Sequence, residues 1–77
     1  MKIITLPRKS LNPMALPGMG RSIEIYDISE EYSHQIRHAF SRKELFVQFE
    51  DGKETTYPVI NMWPDPHDAT RITLFIE

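Results

Sequence analysis

The chain has no cysteine among its 77 residues. That absence excludes disulfides, zinc–thiolate centres and cysteine nucleophiles. Long apolar runs are also missing, and none approaches the roughly 18–20 residues that a membrane span needs. The N-terminus carries Lys2 but no continuous apolar segment behind it, so a cleaved signal peptide is not expected. Residues 1–23 are basic and free of acids, as a mitochondrial transit peptide would be, but Pro7, Pro13 and Pro17 break the amphipathic helix such a peptide requires. The expected location is cytoplasmic.

Size is limited too. A chain this short makes one domain, burying only about 60% of its unfolded surface. A core of this size supplies roughly 3–5 kcal/mol without a staple. A partner that binds the folded state, a second copy of the chain included, is a natural source of further stability. Accessory and inhibitor proteins of phages and mobile elements are commonly this small and motif-poor, which gives a size-based expectation of that kind.

Net charge is −2, but it is unevenly spread. Lys2, Arg8, Lys9 and Arg21 give residues 1–23 a charge of +4, and the remainder carries −6. The reading is an extended, basic, Pro/Gly-rich N-terminal arm over residues 1–21, with a short strand at 2–6, on an acidic domain over 22–77. Leu11, Met14, Leu16 and Met19 in the arm need an apolar surface to cover, on the domain or on a partner.

Within the domain, "SIEIYDI" (22–28) alternates Ile23 and Ile25 against Glu24 and Tyr26, a strand pattern. A helix is expected over 29–42. Ile28, Tyr32, Ile36, Ala39 and Phe40 form its apolar stripe, and Asp27 with Glu30, or else Ser29, caps its start. "KELFVQFEDGKETTYPVIN" reads as a β-hairpin. A left-handed Gly52 in a bulged turn would place Leu45 opposite Tyr57 and Val47 opposite Thr55, with Pro58 on an edge strand. "NMWPDPHD" (61–68) reads as a stiff loop, and "TRITLFIE" as a final strand. The predicted class is α+β, with one helix packed on a small, mostly antiparallel sheet of about four strands.

Chemistry is thinly represented. His34 and His38 have the i, i+4 spacing of a shared metal site, and His67 with Asp65 or Asp68 could complete one. Both helix histidines lie opposite the apolar stripe, however, so no metal and no cofactor is expected. No serine lies in a nucleophile-elbow pattern. "GMGR" (18–21) precedes a strand and so cannot place a phosphate at a helix N-terminus.

The function expected is therefore a non-enzymatic protein-binding module, an accessory protein or stoichiometric inhibitor. Its contact residues are expected in the loop (Met62, Trp63, Asp65, His67) and in the arm (Arg8, Lys9, Met14, Leu16, Met19, Arg21). The alternative is nucleic-acid association through the basic arm, with Phe46 and Phe75 available for stacking. A small metal-dependent enzyme is the third reading. Trp63 could face the core or a partner.

Overall fold

A computed structural model of the chain describes residues 1–15 and 17–77. Among these residues are six strands and one α-helix: β1 (Lys2–Leu6), β2 (Arg21–Ile25), α1 (Glu30–Ser41), β3 (Leu45–Phe49), β4 (Gly52–Pro58), β5 (Asn61–Pro64) and β6 (Ile72–Ile76). The class is α+β. The expected single sheet of about four strands is instead two three-stranded sheets, ordered β1-β3-β4 and β2-β6-β5. In the first, β1 runs parallel to β3 and β4 antiparallel to it. The second is wholly antiparallel.

The division arises at a corner. Val59 N–H donates to Leu45 O of β3 (3.0 Å), and the next residue, Ile60, donates to Phe75 O of β6 (2.8 Å). The chain thus changes sheets behind Pro58, as strands do at the corners of packed sheets. A second corner lies after β1, where a 3-10 turn (Arg8–Ser10) carries the chain to β2. There Leu11 bridges Ile23, and Asn12 N–H donates to Ser22 O at 2.9 Å. The expected free arm is therefore tied down at both ends: Ile4 of β1 lies in the core, and Gly20 abuts β6. A Cβ on Gly20 (φ +80°) would stand 2.1 Å from Ile76 O, so only glycine permits that approach.

The inner faces of both sheets are branched aliphatics at alternate positions: Ile4, Leu45 and Val47 in one, Ile23, Ile25, Ile72, Leu74 and Ile76 in the other. Helix α1 adds Ile28, Ile36 and Ala39, while Tyr32 and Phe40 pack half-buried at the margin. Ser29, not Asp27, caps the helix, its hydroxyl accepting from Tyr32 N–H. At the other end Lys43 N–H donates to Phe40 O and Glu44 N–H to Ala39 O, with Lys43 left-handed at φ 59°. This is a Schellman stop with lysine where glycine is usual.

The β3–β4 register also differs from the expectation. Val47 faces Tyr57, Phe46 faces Pro58, and Phe49 faces Gly52, with an irregularity between Gln48 and Phe49. Gly52 has no positive φ. The turn is Glu50–Asp51, and the extra residues sit inside β4, where Gln48 Nε2 donates to Lys53 O at 2.5 Å. Tyr57 and Val59 still reach the core face beside Leu45, Val47 and Phe49.

Candidate functional site

Asn61–Pro64, expected as loop, forms β5 and pairs with β6, Trp63 opposite Thr73 and Asn61 opposite Phe75. Strand alternation then sorts the tetrapeptide by face. Met62 turns inward and packs half-buried on the core. Trp63 turns outward and is 55% exposed. It stands edge-on against Phe75, with ring centroids 5.2 Å apart at 68°. Phe75 lies outside the main core cluster yet is only 2% exposed, in contact with that indole.

The same outer face gathers side chains from all three strands. Glu24 and Thr73 are paired across β2 and β6, and Thr73 and Trp63 across β6 and β5. Beyond them Arg71 Nη2 donates to Glu24 Oε1 at 2.8 Å, and its Nη1 lies 3.9 Å from Asp65 Oδ2. The guanidinium sits over the Tyr26 ring, 5.0 Å from its centroid. The Tyr26 hydroxyl donates to Glu24 Oε2, and that ring is itself 55% exposed. The hydrogen bond from Tyr26, and then that from Arg71, hold the Glu24 carboxyl below its ordinary pKa. The bond to Glu24 raises the Tyr26 phenol in turn. The result is an Arg and two exposed aromatics held in place by two carboxylates.

The following turn is internally satisfied. Asp65 Oδ1 accepts from His67 N–H (2.8 Å), and Asp68 Oδ1 accepts from Thr70 N–H (3.0 Å). The bonds from Thr70 hold the Asp68 carboxyl low. The two aspartates thus act as turn formers. His67 is exposed at the tip.

Of the expected contact residues, Trp63 and Asp65 lie on this face. Lys9 lines a groove of about 380 Å³ at its border with Asn12, Ser22, Glu24 and Tyr26. Arg8 is engaged elsewhere: its Nε contacts both Asp51 oxygens (3.0 and 2.9 Å), and its guanidinium stacks 4.5 Å from the Phe49 centroid. That bond depresses the Asp51 carboxyl. Met14 is 72% exposed, Met19 half-buried and Arg21 exposed. Leu16 lies outside the described residues. Tyr26, Arg71 and Glu24 were missed, although the alternation of Ile23 and Ile25 with Glu24 and Tyr26 already turned the latter two to solvent.

His34 and His38 are both exposed, and His34 Nε2 lies 3.9 Å from Glu30. Among the described residues, no three His, Asp or Glu side chains come together as a metal site would need. No helix is long and apolar enough to cross a membrane among the described residues. The chain matches no protein-family model, no curated protein and no solved structure.

Proposed function

We propose that the protein is a non-enzymatic binding module that docks a protein partner on the outer face of β2-β6-β5. The observation that carries this reading is the outward Trp63, braced on Phe75 and flanked by Tyr26 and the pinned Arg71. Trp, Tyr and Arg are the side chains that dominate protein interfaces. Groups already fixed by neighbours lose little entropy on docking. Such a module acts stoichiometrically, as an accessory or inhibitory subunit.

Nucleic-acid association draws on the same aromatics and on Lys9 and Arg21. It has less support, because Glu24 and Asp65 repel phosphates on this face, and Arg8 is neutralised by Asp51. Should the second reading hold, RNA or DNA affinity falls steeply as salt rises.

The test is capture of a partner by the full chain from cells that produce it, compared with Trp63→Ala and, on the opposite sheet, Phe46→Ala. Loss of capture by Trp63→Ala alone, with melting temperatures retained, supports the reading. Equal capture by all three forms overturns it. Deleting the arm is unsuitable, since that would remove β1 and its core residue Ile4.

A further inference from the structure

Four strands lie at sheet edges: β1 and β4 in one sheet, β2 and β5 in the other. An exposed edge offers unpaired main-chain groups to another strand, and folded chains commonly block them. On β2, Leu11 and Asn12 occupy the edge. The Met62 N–H of β5 is taken by Asn61 Oδ1 at 2.8 Å, and Pro64 has no N–H to offer. Strand β4 is irregular opposite Gln48 and Phe49, carries exposed Lys53 and Glu54, and ends in Pro58.

Strand β1 has none of these devices. Lys2 N–H donates to Glu44 O (2.8 Å) and Leu6 O accepts from Glu50 N–H (3.0 Å), which sets the phase of the parallel ladder. Lys2, Ile4 and Leu6 therefore bond to β3, and the N–H and C=O groups of Ile3 and Thr5 point away from it. Residues 3–5 contain no proline, bulge or charge. The neighbouring Lys2 ammonium is drawn aside onto Gln35 Oε1 (3.1 Å) and the Tyr32 ring (4.7 Å).

We propose that β1 is a self-association edge, pairing antiparallel with β1 of a second copy about a two-fold axis through Ile4. That register sets Ile3 of each copy opposite Thr5 of the other. Four hydrogen bonds then form, using each free N–H and C=O of residues 3 and 5 once. The side-chain surface suits a second copy as well. On the outer face, Ile3 lies in one row with Phe46 and Pro58, and Thr5 in the next with Gln48 and Thr56. A two-fold contact brings charges near their own copies, and this strip has none to repel. The product is one continuous sheet, β4-β3-β1 followed by its mate, with the Trp63 faces left open on both copies.

The experiment is sedimentation equilibrium of the full chain from about 5 to 500 µM, with amide hydrogen exchange at the two extremes. Reversible dimerisation is expected, with Ile3 and Thr5 amide exchange slowed at least tenfold at the higher concentration. Thr5→Pro removes an N–H that serves only the free edge, and Ile3→Lys places like charges across the seam. Each should weaken the dimer at least tenfold, and Ile3→Lys carries this arm if Thr5→Pro disturbs the fold. A monomer throughout the range overturns the proposal. So does a dimer that neither variant weakens, unchanged exchange at Ile3 and Thr5, or a β1 edge that takes only a foreign strand.

Discussion

The two sheets are alike within and different without. Each turns alternate branched aliphatics to the shared core, so either inner face could stand for the other. Outside, β1-β3-β4 shows Ile3, Thr5, Phe46, Gln48, Thr56 and Pro58, an uncharged surface that leaves Ile3 42% exposed. The outer face of β2-β6-β5 instead carries Trp63 and Tyr26 around a charged Glu24–Arg71–Asp65 group. Burial dictates the inner pattern for any sequence that folds this way, whereas nothing in folding requires an exposed Trp. The difference locates function on the outside, with side-chain recognition on one sheet and main-chain pairing on the other.

The comparison fails first if the inner faces are not equivalent. Leu45→Ala and Leu74→Ala, one per sheet and both buried, should each cost about 2–5 kcal/mol in denaturant unfolding. A large imbalance would mean that one sheet alone forms the core. Gly20→Ala should fall in the same range, since its Cβ would meet Ile76 O, and would dislodge β2 from β6. Gly18→Ala should cost only about 1 kcal/mol, because Gly18 has positive φ but open space around it.

The outer faces should separate stability from binding. Trp63→Ala loses the edge-on contact with Phe75 and should destabilise by about 1–2 kcal/mol. Its effect on partner affinity should be larger, about 30-fold or more. Phe46→Ala should cost similar stability, read from thermal melts, and leave affinity unchanged.

Two smaller effects follow from local geometry. Lys43→Gly relieves a left-handed lysine and should stabilise by up to about 1 kcal/mol. Glu24, Asp51 and Asp68 are all held below their ordinary pKa values. A carboxyl that is more acidic when folded contributes fully above its unfolded pKa, and that contribution fades as pH falls through the lower folded value. Melting temperature should therefore decline below about pH 4.5, the ordinary value of Glu24, and less so in Glu24→Gln.

Much of this fold is written locally. The alternation in β2 and β6, the stripe of α1 and the placing of Pro58 on an edge strand are all visible residue by residue. What escapes is set by distant contacts. "YPVINMW" reads as a strand end and a loop because Pro58 cannot continue the β3 ladder. Only the bond from Ile60 to Phe75 shows that the chain starts a new sheet there. The β3–β4 register turned on where extra residues are absorbed, and Gln48 settles this through a side-chain bond to Lys53 that no turn rule contains. The direction of Trp63 depended on both, since its face follows from pairing with Thr73. Arg71 likewise joins the site only because β6 lies between β2 and β5.

Because Trp63 is the single tryptophan, its indole N–H gives one isolated resonance in a nitrogen–proton correlation spectrum. Titrating the captured partner into the labelled full chain tests the central claim directly. The account predicts that this resonance shifts or broadens together with the amides of Asn61–Pro64 and Arg71–Phe75, while those of Phe46 and Gln48 stay in place. An unmoved indole signal under saturating partner, with the changes on β1-β3-β4 instead, would contradict it.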